Sequence, residues 1–348
     1  MMMMMKNMPK KIIITGVTGQ DGSYMADLLL EETDYEIYGM VRRTSTNNYH
    51  NIQHLLDNKR FKIVTGDLSD SQSIDNLVRE ITPDYFINLA AQSFVGASWQ
   101  IPEQTFDIDA IGVIRCLEAI RKHAPNCRFY NAGSSEELGN VDYSPQDENH
   151  SLKPRSPYGA AKAAARHIVK VYRESYNLFA IQGLLYNHES PRRGEEFVTR
   201  KITKEIAKIK KALDNNLEFE PLELGNIYAK RDWSHAKDFV RGIWMMLNQD
   251  FPKEYLLASG ETHTVKEFIE KAFEYINIKG AWRGEDLDEK YYFNNQILVQ
   301  INPKFYRPAE VDLLLGNSNK AITELGWRSK ISFDTLIKEM ISFDIKNV

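Results

Sequence analysis

In the first half of the chain the apolar residues come in short unbroken runs. Between the runs they recur at three- and four-residue spacing. Lys11–Thr15 (KIIIT), Glu36–Val41, Phe61–Thr65, residues 85–89, Arg128–Ala132 and residues 179–185 are runs of strand length. Unbroken hydrophobicity marks strands buried on both faces of a parallel sheet. Residues 24–31, 74–80, 108–123 and 158–176 carry the helical spacing, and Asp70 or Ser71 can cap the second of them. Strand and helix in alternation predict an α/β domain around a doubly wound parallel sheet. From Asn187 onward the pattern changes. Helical segments at 199–213, 238–249, Val265–Tyr275 and 333–342 are joined by irregular polar stretches. They predict a smaller, mixed C-terminal lobe that faces a substrate. The expected division is a disordered leader at 1–9, a dinucleotide-binding domain at 10–186 and a mainly substrate-binding domain at 187–348. Segments around 225–260 are expected to cross back onto the first domain.

Composition narrows the class. The 348 residues are 43% hydrophobic and 26% charged, with a net charge of -4. These are ordinary globular values, and no overall basic field would recruit nucleic acid. The two cysteines, Cys116 and Cys127, follow no metal spacing and are too few to staple a fold of this size. That fits a reducing, cytoplasmic setting. No apolar run approaches the ~20 residues of a membrane helix, and the Met-rich start lacks a secretory h-region and cleavage site. His188, His235 and His263 form no ligand cluster, so no metal is expected.

Gly16-Val17-Thr18-Gly19-Gln20-Asp21-Gly22 lies between the first predicted strand and the first helix. Glycines there let the backbone approach a pyrophosphate seated on a helix N-terminus, which predicts a dinucleotide-binding (Rossmann) domain. About 20 residues on, where an acid for ribose hydroxyls is usual, the second strand ends in Arg42-Arg43 instead. Two guanidiniums suit a 2′-phosphate, and NADP is expected over NAD. Asp67 and Leu68 end the third strand, either as adenine contacts or as a helix cap. Leu89-Ala90-Ala91-Gln92-Ser93 ends the fourth with small side chains that leave room at the crevice, or that serve close packing.

The catalytic candidates follow the fifth strand. Tyr158 is a weak base at its reference pKa of ~10. Lys162, one helical turn on, places an ammonium on the same face and favours the phenolate. Ser134 ends the fifth strand and can hydrogen-bond a reacting sugar oxygen. Glu136 beside it supplies a carboxylate that hydride transfer alone does not need. His188 and Arg193 lie in a dense polar segment after the sixth strand. Arg231 and Arg307 sit in aromatic-flanked turns, as clamps on a diphosphate or as surface ion pairs.

Taken together, the motifs resemble the GDP-mannose 4,6-dehydratase family of the extended short-chain dehydrogenases/reductases. The carriers are GVTGQDGSYM (16–25), VRRTS (41–45), NLAAQSFVGASW (88–99), SSEELG (134–139), RSPYGAAK (155–162), NHESPRRGEEFVTRKIT (187–203), GNIYAKRDW (225–233), FYRPAEVDLLLGN (305–317) and LGW (325–327). The NHESPRRG block is the most specific of them. The resemblance implies an NADP-binding Rossmann domain, a smaller GDP-mannose domain, and Ser134, Glu136, Tyr158 and Lys162 as the catalytic set. It implies coenzyme contacts from His188 and Arg193, and substrate contacts from Ser93, Asn187, Val198, Lys201, Arg231, Arg307 and Glu310. It also implies a tetramer built from dimers, in which the 42–45 loop reaches a neighbouring subunit's coenzyme. The chain departs from the family pattern in having Ser134 for Thr, Glu137-Leu138 for an apolar-aromatic pair, Gln104 for Tyr, and the small run Ala163-Ala164-Ala165. Alternatives on the same motifs are a dehydratase of another GDP-sugar such as a GDP-heptose, and a nucleotide-sugar reductase or epimerase.

Overall fold

The computed structural model describes residues 9–139, 141–306 and 313–348. The first half contains β1 (Lys11–Thr15), α1 (Gln20–Glu32), β2 (Glu36–Val41), β3 (Phe61–Thr65), α2 (Ser71–Ile81), β4 (Tyr85–Asn88), the short α3 (Val95–Ser98) and α4 (Pro102–Phe106), α5 (Gly112–His123), β5 (Arg128–Ala132), α6 (Pro157–Tyr176) and β6 (Ala180–Leu185). The second contains β7 (Asn187–Glu189), α7 (Val198–Asp214), β8 (Leu222–Leu224), β9 (Lys230–Arg231), β10 (Trp233–His235), α8 (Ala236–Leu247), β11 (Leu256–Leu257), β12 (His263–Thr264), α9 (Val265–Tyr275), β13 (Ala281–Arg283), β14 (Lys290–Phe293), β15 (Gln296–Ile301), β16 (Leu313–Leu314) and α10 (Phe333–Asn347).

The central sheet runs β11-β6-β5-β4-β1-β2-β3, and every pairing in it is parallel. Helices cover both faces, which is why its strands read as unbroken apolar runs. Ile12 and Ile14 face a core shared with α1 and α8, whereas Ile13 faces one shared with α2, α5 and α6. Strand order reverses between β1 and β4, and that switch point opens the crevice at the carboxyl ends of the strands.

α8 lies in the second half of the sequence, yet its Phe239, Val240 and Ile243 pack with β1 and β6 of the first. β11 likewise extends the central sheet beyond β6. A second core joins α7, α9 and α10 to the four-stranded sheet β13-β14-β15-β8 through Ile206, Phe268, Phe273, Leu298 and Leu336. The sequence predicts a mixed lobe here but places no individual strand in it. The strands are two to six residues long, too short to show a period. One signal was present. Asn294 and Asn295 both have positive φ and connect Phe293 to its partner Gln296 as a two-residue hairpin. The helix expected over 108–123 also differs. A π turn at Asp107–Ile111 precedes α5 and turns Asp109 inward.

Candidate active site

A cleft of about 750 Å³ opens at the carboxyl ends of β4, β5 and β6. α7, β9, β10 and the turn at Phe305-Tyr306 close its far side. Asp21, Leu89, Ala91, Ser93, Ser134, Glu136, Tyr158, Lys162, Asn187, His188, Arg193, Val198, Lys201 and Arg231 all line it.

Ser134 caps a single 3-10 turn at Ser135–Glu137. Its Oγ accepts from the Glu136 N–H at 3.2 Å and hydrogen-bonds the Tyr158 phenol. α6 begins one residue before Tyr158. Ser156 caps it by accepting from the Gly159 N–H at 3.0 Å, and Pro157 occupies the first turn, where its missing N–H costs nothing. Lys162, one turn further, donates from Nζ to the Ala132 carbonyl at 3.0 Å and lies 5.7 Å from the centre of the Tyr158 ring. Burial holds the Tyr158 phenol well above its usual range. The Asp109 charge adds to that, and the Ser134 hydrogen bond opposes it. Asp109 itself accepts from the Gln92 N–H at 2.7 Å, and burial lifts its carboxyl to about 6 against the pull of Lys162.

The glycine loop meets the structural demands of a pyrophosphate cradle. Gly16 adopts φ +65, and a Cβ there would fall 2.8 Å from the Ala90 nitrogen. A Cβ on Gly22 would fall 2.3 Å from the Gly16 carbonyl oxygen. At Gly19, the N-cap of α1, no side chain caps the first turn, so the helix N-terminus is open to an anion. Thr18 accepts from Asn51 Nδ2 through its carbonyl at 3.0 Å. Asp21 and Gln20 turn the other way, toward the segment after β6. Asp21 Oδ2 lies 2.7 Å from His188 Nε2, Gln20 Nε2 donates to the His188 carbonyl at 3.0 Å, and Ser190 Oγ donates to Gln20 Oε1 at 2.7 Å. The other His188 nitrogen faces the Tyr186 carbonyl at 2.7 Å. Burial pushes the imidazole pKa down, but Asp21 outweighs burial and the net shift is upward.

On the far wall, Lys201 donates to the Glu223 carbonyl at 2.7 Å and lies 3.8 Å from the Phe305 ring centre. The Arg193 guanidinium stacks 3.6 Å from the Phe197 ring centre and pairs with Glu189 at 3.1 Å. Asn187 Oδ1 is buried with no hydrogen-bond partner among the described residues, an acceptor left for a ligand. Arg231 lines the same wall from β9. Arg307 and Glu310 lie outside the described residues.

Several expected contacts stand apart from this cleft. Arg42 and Arg43 are exposed at the end of β2. Asp67 accepts from the Ser69 N–H and hydroxyl, and Leu68 packs into the core under Gly112. Ala90, outside the lining, donates its N–H to Thr15 Oγ1 at 3.0 Å, as does Leu89 within it, and Gln92 Nε2, also outside, donates to Thr105 Oγ1 at 3.1 Å. Phe94, Trp99, Glu189, Phe197, Trp233 and Tyr306 also line the cleft without having been singled out. No group of three potential metal ligands occurs among the described residues.

A nucleotide crevice at the switch point, with Ser, Glu, Tyr and Lys gathered over it, defines a short-chain dehydrogenase/reductase of the extended, sugar-nucleotide type. Two solved structures share this fold at 21% identity and a TM-score of 0.81 each. They are UDP-glucose 4-epimerase of Thermotoga maritima with UDP-glucose (97% of this chain, 99% of that one) and dTDP-glucose 4,6-dehydratase of Streptomyces venezuelae with NAD and TYD bound (97% of each). The chain belongs to the GDP-mannose 4,6-dehydratase family: the family model described as GDP-mannose 4,6 dehydratase matches residues 13–340. The GDP-mannose 4,6 dehydratase of Drosophila melanogaster is 47% identical over 97% of this chain and 86% of its own length. That of Homo sapiens is 44% identical over 96% and 91%.

Proposed function

We propose that the protein is a GDP-mannose 4,6-dehydratase, a hydro-lyase that converts GDP-mannose to GDP-4-dehydro-6-deoxy-mannose and water. The observation that carries this reading is the convergence of Ser134, Glu136, Tyr158 and Lys162 on one cleft in a chain of this family.

A bound nicotinamide coenzyme supplies a hydride acceptor for C4 and, once reduced, a hydride donor for C6. Tyr158 takes the proton from the sugar O4 as C4 is oxidised, while the Ser134 hydroxyl orients that oxygen. Lys162, held by the Ala132 carbonyl, favours the phenolate. The new C4 carbonyl acidifies the C5 proton, which Glu136 removes. Glu136 then protonates the C6 hydroxyl, which departs as water. Tyr158 passes the proton it took from O4 to C5, which restores the phenolate, and hydride returns to C6, so that no net redox occurs.

The coenzyme is a nicotinamide dinucleotide, and we infer NADP. The support is Arg42-Arg43 at the end of β2, where an acid would favour NAD. His188 and Arg193 serve the coenzyme side, and Asn187, Val198, Lys201 and Arg231 the sugar nucleotide. A coenzyme lobe up to residue 186 and a sugar-nucleotide lobe beyond it belong to this reading. So do a cytoplasmic location and a homotetramer in which the 42–45 loop reaches a neighbour, to be checked by light scattering. No described helix is long and apolar enough to cross a membrane.

The direct test is to incubate the purified protein with GDP-mannose and no added coenzyme, following mass and NADPH absorbance. Loss of one water at constant absorbance is expected. No conversion, even with NADP added, would overturn the assignment.

A further inference from the structure

Glu137 follows Glu136 but points the opposite way, into the protein, and is fully buried. Its Oε1 accepts from the Ser134 N–H at 2.8 Å and from Gln182 Nε2 at 2.8 Å. Its Oε2 is buried with no hydrogen-bond partner among the described residues. The family pattern places an apolar residue at this position, where this chain has an acid.

Gln182 is the last link of a side-chain ladder across four neighbouring strands. Thr15 Oγ1 donates to Asn88 Oδ1 at 2.6 Å, Asn88 Nδ2 to Asn131 Oδ1 at 2.7 Å, and Asn131 Nδ2 to Gln182 Oε1 at 2.7 Å. Parallel register makes this possible, because Thr15 faces Asn88, Asn88 faces Asn131 and Asn131 faces Gln182. All four are buried. The polarity of the ladder is fixed at its first rung. Thr15 Oγ1 already accepts two N–H bonds, from Leu89 and Ala90, so its own proton must go to Asn88. Each amide then turns its donor toward the next strand, and the bonds reinforce one another toward Glu137.

We propose that Glu137 is a positioning residue of the reaction: fed by this ladder, it holds the turn that presents Ser134 and Glu136 to the substrate. It binds the Ser134 backbone, while the Ser134 hydroxyl holds the Glu136 N–H and the Tyr158 phenol. The far end of the ladder fixes Leu89 and Ala90 at the coenzyme crevice, so both reactant sides are referenced to one set of bonds. Burial lifts the Glu137 carboxyl to about 7. Arg166, the two hydrogen bonds and Lys162 pull it down. Around it stand Lys162, Arg166 and Tyr158 on α6, Tyr130 on β5, and Glu136 on its own turn. Protonated on Oε2, Glu137 keeps both hydrogen bonds and places no charge near Tyr158. Ionised, it opposes the phenolate that Tyr158 must form.

The inference rests on the dehydratase reading, and the test separates the two. Turnover of GDP-mannose is measured for the wild-type holoenzyme, E137L and E137Q from about pH 6 to about pH 9. E137L removes the acceptor of the Ser134 N–H and one of the two acceptors of Gln182 Nε2, which keeps only the Lys162 carbonyl at 2.9 Å. Its kcat should fall by up to about 10²-fold, the scale of a misplaced reacting group, with KM within about twofold. E137Q keeps an acceptor and stays neutral. It should recover most of the turnover lost in E137L and lack the wild-type titration near pH 7. E137L with wild-type kcat, or E137Q with the wild-type pH profile, overturns the role of Glu137 while leaving the dehydratase reading intact. If E137L does not melt cooperatively, the E137Q profile alone decides. No dehydrated product from the wild type overturns both.

Discussion

Asp21 and His188 meet at 2.7 Å across 167 positions of sequence, joining the glycine loop to the segment that leaves β6. Both His188 nitrogens face acceptors, so the imidazolium fits where a neutral ring would leave one contact unmet. His188 also stacks on Phe239 at 4.4 Å, which seats it on the helix that crosses back from the second half. The pair therefore ties the glycine loop, the segment that leaves β6 and α8 together.

Stability should report this pair. The His188 pKa is raised, so its contribution is complete below the ordinary value of ~6.5 and is lost as pH climbs through the higher folded value. Asp21 is depressed, so its contribution is present above ~3.9 and is lost as pH falls through the lower folded value. Arg193 acts on both, lowering each pKa. Asp21→Asn should cost about 1.5–3 kcal/mol, the scale of a hydrogen bond to a charged group. The loss of Tm should be largest between about pH 4 and about pH 6.5, and should narrow on the alkaline side. A pH-independent difference would refute the ion-pair account.

In the proposed reaction Glu136 has one task that separates a dehydratase from a reductase, removal of the C5 proton. Glu136→Gln should lower water loss by about 10²–10⁴-fold, the usual worth of a positioned acid-base group. C4 oxidation does not need the carboxylate. Mixing the variant with GDP-mannose should therefore still raise absorbance from reduced coenzyme, which then persists. Full dehydratase turnover in this variant would remove Glu136 from the mechanism.

How much of this was legible in the sequence depended on the range of the interactions. Ile12, Ile13 and Ile14 announced β1 because burial on both faces leaves no polar position to hide the run. Tyr158 and Lys162 announced their pairing because one helical turn fixes it. The short strands around the cleft left no such trace. Lys230–Arg231 is a strand only because Leu313–Leu314 and His263–Thr264 lie on either side of it. Trp233 reaches the cleft from β10, paired with β7, and Phe305 and Tyr306 reach it from the turn after β15, so sequence spacing could not place them. The burial of Glu137 and Asp109 was hidden for a different reason. Each follows a pattern that suits a surface carboxylate, and only the three-dimensional packing shows that it is buried.

Arg42 and Arg43 give the coenzyme preference a separate test. Both are exposed at the end of β2, where the proposed reading has them meet the ribose 2′ substituent. Replacing both with Ala should weaken NADP binding by about 10–100-fold, the equivalent of one or two charge-assisted hydrogen bonds. NAD binding should change little, because NAD has no phosphate there. Calorimetric titration of coenzyme-free protein with each nucleotide checks this. Equal losses for both nucleotides would assign the arginines to the fold or to a neighbouring subunit instead.

Asp109 adds to the raised pKa of Tyr158. Burial is the larger cause of the raised phenol pKa, and the Asp109 charge is the next. A negative charge beside a phenol disfavours the phenolate, so removing it lowers the pKa. Asp109 is itself lifted to about 6, so at neutral pH it carries most of that charge. Asp109→Asn keeps an oxygen to accept the Gln92 N–H, which holds the loop after β4 in place. The expected result is that the rising limb of kcat/KM against pH, which reports the free enzyme, moves to lower pH in the variant. Activity at pH values below the wild-type optimum should therefore increase. A limb that stays in place would mean that Asp109 does not govern Tyr158. A limb moved upward would mean that the Asp109–Lys162 attraction matters more than its repulsion of the phenolate.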